Sequence, residues 1–458
     1  MLRCAPYFYR SPMTAPRSHR SSSSTSSSQP FPLRAVVVTA VLTLAAVLLA
    51  VNFSAGEKKL EQRIERLYGL RDPQYQRDMN VLLGPPVLDG NRFDSLVNGD
   101  RIFPSMLGAI RGAQKTITFE TYIYWSGDIG RAFAEALTER SRAGVKVHVL
   151  LDWVGSQKID EKFLDQMREA GVDIQKYHEP SWYAWGDWAR MNNRTHRKLL
   201  VVDGAVGFTG GVGIAPAWTG DGQDPEHWRD THFRVEGPVV AQMQSVFIDN
   251  WTKTSGQVLH GPAYFPPLQR LVPAGQGLAQ MFSSSPSGGS ESMHLMYLMA
   301  ITAAEGSIDL ASAYFVPDDL TRQALVEARK RGVRVRIVMP GPVIDAETVR
   351  GASRASWGPL LEAGVEIYEY QPTMYHCKVL VVDGLMVSVG STNFDNRSFR
   401  LNDEANLNLY DEAFAAEQTA IFERDIGLSK RITLEQWRER PWTEKALEHA
   451  AALLSSQL

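Results

Sequence analysis

The segment THRKLLVVDG at 195–204 returns as YHCKVLVVDG at 375–384, every shared residue displaced by 180 positions. His196, Lys198, Asp203, Gly204 and Gly210 recur as His376, Lys378, Asp383, Gly384 and Gly390. The echo is wider than the motif. KTITFETYIYW (115–125) alternates like a strand, Asp128 offers an N-cap to a helix ending before Gly144, and VKVHVLLD follows as the next strand. SIDLASAYFV (307–316), Asp318, Gly332 and VRVRIVMP repeat that order, and the next strands start at Gly171-Val172 and Gly364-Val365. Repetition of whole strand–helix–strand units restricts the chain to an α/β fold of two similar halves. Each half needs a sheet with substantial parallel pairing, covered on both faces by helices.

Along a strand, side chains two apart project to one side, so the His and Lys of each copy share a face. Asp203-Gly204 and Asp383-Gly384 read as hairpin turns, with AVGFTGG and LMVSVGS as return strands. The repeated aspartates are therefore either turn residues or catalytic groups. Lysines with no carboxylate at hydrogen-bonding spacing suit an anionic substrate, phosphate above all. One imidazole can attack phosphorus to form a phosphohistidine while the other protonates the departing oxygen. The lysines and nearby amides would neutralise charge on the non-bridging oxygens. The scheme needs no metal and no cofactor.

The chain has 458 residues and a net charge of −3, without the basic excess expected of a nucleic-acid backbone binder. Its two cysteines, Cys4 and Cys377, give neither a disulfide framework nor zinc spacing. Residues 1–34, Arg/Ser-rich and free of acids, read as a disordered tail. Residues 35–53, uncharged and mostly apolar, read as a transmembrane helix, with a cleaved signal peptide as the rival. Five basic residues on each side leave orientation open. The remaining segments are a charged linker helix (54–85), a first domain (86–262), a linker (263–276), a second domain (277–445) and a C-terminal helix or tail (446–458). SWYAWGDWARM (181–191) precedes the first motif only, and its Trp182, Trp185 and Trp188 suit an interfacial wedge or a loop over the mouth of the site. The amphipathic C-terminal segment either packs on the core or touches the membrane.

HxKxxxxD followed by six residues and GG or GS resembles the phospholipase D superfamily. The second copy carries the longer pattern: His376, Lys378, Asp383, Gly390, Ser391, Asn393, Asp395, Arg397, Ser398 and Glu404. The first copy has Gly210 and Gly211 but Gly213 where that family usually has Asn. The resemblance implies two phospholipase D-like domains around one composite site. Catalysis would fall to His196, Lys198, Asp203, His376, Lys378 and Asp383, with the first histidine, His196, commonly the nucleophile. Asn393 and Ser391 would bind phosphate. Acids downstream would orient each ring, Asp230 for His196 and Glu404 for His376. NNRTHRK (192–198), FTGGVGI (208–214) and the HWRD segment are similar to bacterial cardiolipin synthases. That subgroup implies phosphatidyl transfer from phosphatidylglycerol to a second lipid headgroup at the bacterial cytoplasmic membrane. The partners implied are bilayer phospholipids, with no nucleic acid and no obligatory oligomer. Hydrolysis by water is the alternative acceptor chemistry, and an inactive scaffold is opposed by the intact His and Lys of both copies.

Overall fold

The computed structural model describes residues 33–52, 60–180, 192–267, 273–285, 291–455 and 457–458. The tail at 1–32, the Trp-rich segment 181–191 and residues 268–272 of the linker lie outside the described residues.

The chain divides into two compact units, Met1–Leu48 and Leu49–Leu458. In the first, a helix runs Leu33–Asn52, and its side chains at 34–47 are all exposed. Among the described residues no helix is long and apolar enough to cross a membrane, so the spanning helix expected at 35–53 is without support. The charged linker helix expected over 54–85 is also corrected. Residues 60–72 are not helical, and a helix starts only at Pro73, where Asp72 caps it and proline suits the first turn. The residues before it contact the second half: Leu60 N–H to Glu291, Arg63 to Gln323, and Arg66 to Glu305.

The first half supplies strands β1 (Leu88–Val97), β2 (Thr116–Thr121), β3 (Lys146–Asp152), β4 (Asp173–Tyr177), β5 (Leu199–Val202), β6 (Val206–Gly210) and β7 (Thr231–Glu236). The second supplies β8 (Gly277–Ser284), β9 (Ser307–Ser312), β10 (Phe315–Val316), β11 (Arg334–Pro340), β12 (Glu366–Tyr370), β13 (Lys378–Val382), β14 (Met386–Gly390), β15 (Phe394–Asp395), β16 (Glu404–Tyr410) and β17 (Ser429–Ile432). Fifteen of them form one sheet in the order β17-β12-β11-β9-β13-β14-β16-β8-β1-β7-β6-β5-β2-β3-β4. Read outward from the antiparallel β8–β1 pair, the two arms match strand for strand except for β17 at one edge. Within this sheet the parallel ladders are β2–β3–β4 and β9–β11–β12, the strand–helix–strand units seen in the sequence, while β10 and β15 form a separate parallel pair.

The helix after β2 is Asp128–Arg142, with Gly127 at its cap, so Asp128 sits in the first turn and makes no side-chain cap. Its counterpart Asp318 does cap Asp319–Lys330, accepting from the Thr321 N–H. Each half buries its own apolar core, and a third core draws on both. In that shared core Phe247 and Trp251 of one half lie with Val387, Leu407 and Phe414 of the other. The C-terminal helix Trp442–Ala452 is tied by Glu444 and Glu448 to Arg354, while Trp442 and Leu447 remain exposed.

The motif aspartates are fixed by turn chemistry. Asp203 and Gly204 have φ of +54° and +63°, and Asp383 and Gly384 have +53° and +59°, the left-handed pair that a tight hairpin requires. Each carboxylate then accepts backbone N–H groups from the loop entering a neighbouring strand. Asp203 takes those of Gln114, Lys115 and Thr116, and Asp383 those of Glu305, Gly306 and Ser307. Every bond they make is structural, so the turn reading prevails over the catalytic one. Asp203→Ala is expected to destabilise the protein by ~3 kcal/mol, from lost acceptors and left-handed strain. Denaturant unfolding measures this, and turnover per folded molecule should be unchanged; lost turnover at intact stability would restore a catalytic role.

Candidate active site

Each motif enters its strand by pairing with the other half. The His196 N–H donates to the Asp403 carbonyl at 2.9 Å, and the Asp403 N–H to the Arg194 carbonyl at 2.9 Å. Reciprocally, the His376 N–H donates to the Arg229 carbonyl at 2.7 Å, and the Arg229 N–H to the Met374 carbonyl at 2.9 Å. These are the parallel bridges Thr195–Asp403 and Arg229–Tyr375.

The residues that follow, Glu404 and Asp230, are thereby delivered to the opposite histidine. His196 Nδ1 lies 3.0 and 3.1 Å from the two Glu404 oxygens, and His376 Nδ1 lies 2.7 Å from Asp230 Oδ2. Both sequence-based pairings are therefore corrected: each acid orients the ring of the other half. A carboxylate at Nδ1 fixes the proton there and leaves the Nε2 lone pair free in the neutral ring.

Lys198 and Lys378 each donate to the carbonyl of their own histidine at 2.7 Å, and neither has an ion-pair partner among the described residues. Lys378 Nζ also lies 3.1 and 3.2 Å from the two ring nitrogens of His376. The charges of Lys198 and Lys378 both act on His196, which puts the two copies in one site. Burial, with those lysines, holds the His196 imidazolium down to about 4 against the pull of Glu404. His376 is lowered too, by burial and then by Lys378. Lys198 is pushed down to about 7, first by burial. Asp230 and Glu404 stay below the usual carboxylate range, although burial opposes it, because an imidazole and a lysine face each of them.

The rest of the site is unequal. The Ser391 hydroxyl donates to Glu404, so its single proton is not free for the phosphate contact expected of it. Asn393 is buried, and its Oδ1, an acceptor, has no partner among the described residues. Sequence reasoning missed three aromatic neighbours. Tyr122 packs edge-on to His196 at 5.5 Å, while Trp218 and Trp228 lie 5.3 and 5.5 Å from His376. The proximity of Trp228 to Asp230 in HWRD was the signal at hand; Trp218 and Tyr122 give none. Cys377, between the motif histidine and lysine, is a buried free thiol pushed up to about 12 by burial.

Two imidazoles, each with its Nδ1 on a carboxylate, beside two lysines with no ion-pair partner among the described residues make a site that suits an oxyanion. Because Lys198 sits near 7 without ligand, an anion arriving beside it favours its protonated form. Binding of vanadate or inorganic phosphate at pH 7.5 is expected to take up a fraction of a proton. Calorimetry in two buffers of different ionisation enthalpy measures this; equal heats in both would contradict the assignment.

Comparison with known proteins agrees with this geometry. The family model described as "Cardiolipin synthase, PLD-like domain" matches residues 106–251 and 297–426. The cardiolipin synthase of Geobacillus kaustophilus (strain HTA426) is 36% identical over 374 residues, covering 81% of this chain and 74% of the relative. Cardiolipin synthase A of Pseudomonas fluorescens (strain SBW25) is 35% identical over 381 residues, covering 83% and 78%. The crystal structure of phosphatidylserine synthase from Haemophilus influenzae Rd KW20 shares the fold, with a TM-score of 0.63 at 14% identity over 84% of this chain and 100% of that one. With both histidine–lysine motifs in place inside a fold and a sequence shared this widely, the chain belongs to the cardiolipin synthase PLD-like domain family and is an enzyme of the phospholipase D superfamily.

Proposed function

We propose that the protein transfers a phosphatidyl group from phosphatidylglycerol to the headgroup hydroxyl of a second phospholipid, through a phosphohistidine. In this reading His196 Nε2 attacks phosphorus, the bond to the glycerol oxygen breaks, and protonated His376 gives that oxygen its proton. His376, now neutral, takes a proton from the incoming hydroxyl. The hydroxyl oxygen attacks phosphorus, the P–N bond breaks, and His196 is regenerated. Lys198, Lys378 and the Asn393 amide bear on the non-bridging oxygens, where charge builds up in both steps.

The observation that carries this reading is the pair of oppositely oriented acid–imidazole couples flanking lysines that have no ion partner. Two such couples supply an acid and a nucleophile simultaneously and exchange roles in the second step. A phospholipid as the group transferred is supported by relatives named as cardiolipin synthases. The exposed, mostly apolar side chains at 34–47 support a working position at a bilayer surface, where lipid is at high effective concentration.

Purified protein incubated in detergent with phosphatidylglycerol is expected to yield cardiolipin and glycerol in equal amounts. Phosphatidic acid without cardiolipin would mean that water is the acceptor. His196→Ala and His376→Ala should each lower turnover by roughly 1,000-fold or more, because the two rings act as one unit. Near-wild-type turnover in either variant would overturn the two-histidine scheme.

A further inference from the structure

The two acids that orient the catalytic rings are themselves held differently. On the His196 side, the Ser391 hydroxyl donates to Glu404 and accepts the Ala405 N–H at 3.0 Å. The residue 180 positions earlier is Gly211, which has no hydroxyl to offer Asp230. A Cβ at 211 would lie 2.3 and 2.5 Å from the two oxygens of Asp230, well inside contact distance.

A donor reaches Asp230 from elsewhere. Trp218, on a single 3-10 turn at Pro216–Trp218, donates its Nε1–H to Asp230 Oδ2 at 3.0 Å. That oxygen is the one 2.7 Å from His376 Nδ1, while Oδ1 accepts the Thr231 N–H at 2.8 Å. The same indole explains the second departure of the first motif. A Cβ at Gly213 would lie 2.9 Å from Ile123 Cβ and 3.1 and 3.2 Å from Trp218 Cζ3 and Cη2. The ring occupies the space that an asparagine side chain at 213 would need. It is 2% exposed, stands at 77° to the His376 ring, and is backed by Trp228 at 4.7 Å.

We infer that Trp218 is the positioning residue of the His376 half-site: its indole N–H performs for Asp230 what the Ser391 hydroxyl performs for Glu404, and its ring replaces the asparagine absent at 213. A buried carboxylate with fewer donors attracts the imidazole proton more strongly and holds the ring less firmly. Trp218 thus sets both the orientation and the basicity of His376. The consequence is a division of labour. One half-site keeps a phosphate-binding amide at Asn393, and the other gives up that amide for an aromatic wall around the proton-transfer histidine. This inference deepens the phosphatidyl-transfer reading and rests on it.

The test uses the full chain with Trp218→Phe, and a second variant carrying an isosteric benzothiophene at 218, which keeps the volume and lacks only the N–H. Consumption of phosphatidylglycerol gives kcat and KM across pH, and an NMR titration follows the His376 ring. The charged and titratable groups facing Asp230 and His376 are Lys378, Cys377, Asp345 and Tyr314 from the second half and Lys198, His232 and Arg229 from the first, all unchanged in both variants. Expected are a roughly 10-fold lower kcat with KM unchanged and, because His376 must be protonated to release glycerol, an alkaline limb moved to higher pH. The His376 titration midpoint should rise by about half a unit or more. A ring that merely filled space would lose none of this in the benzothiophene variant. Wild-type kcat, pH profile and His376 titration in that variant would overturn the inference. If the wild type consumed no phosphatidylglycerol, the transfer reading would fall, and the His376 titration alone would still decide the role of Trp218.

Discussion

The structure depends on a reciprocal exchange between its halves: the backbone before each motif pairs with the backbone before the other half's acid. Four N–H to carbonyl bonds at 194–196 with 403, and at 374–376 with 229, place Glu404 on His196 and Asp230 on His376. Neither half then contains a complete acid–imidazole couple. The duplication is an interlocked pair, and separating the halves would remove the orienting acid from both rings at once.

Such an arrangement carries an electrostatic cost. Two histidines, two lysines and two carboxylates are all buried, and charges taken out of water need close partners. The acids find them in the imidazoles and the neighbouring ammonium groups. Lys198 is held down to about 7, first by burial, which the nearby carboxylates only partly offset. An anionic group entering the site would restore the missing counter-charge, so the free enzyme is strained toward its substrate's charge. Around this centre the two β-hairpins are pinned by Asp203 and Asp383, each accepting backbone N–H groups from the loop before the neighbouring strand. The aspartate repeated in both motifs thus acts on the scaffold that presents the histidine.

Much of this was legible in the sequence because it is local. Strand alternation, helix-ending glycines and the DG turns depend on residues a few positions apart, and the two strand–helix–strand units and both hairpins lie where those signals put them. The charged run at 54–85 misled because side-chain contacts of Arg63 and Arg66 with the second half outweigh its weak helical pattern. The crossing of the acids could not be read at all. Glu404 follows His376 by 28 residues and Asp230 follows His196 by 34, so sequence distance favours pairing within a half, whereas the pairing is set by a non-local backbone bridge. Trp218 was silent for a related reason: its indole reaches Asp230 from a distant turn, while the position matching Ser391 holds a glycine.

The interlocked acid–imidazole couples are tested most directly by the ring nitrogens themselves. In 15N-histidine NMR of the full chain, Asp230→Asn is expected to change the tautomer and titration of His376 while leaving those of His196 in place. Glu404→Gln should do the converse. If Asp230→Asn instead disturbed His196 and spared His376, each half would orient its own histidine, and the account of an interlocked site would be wrong.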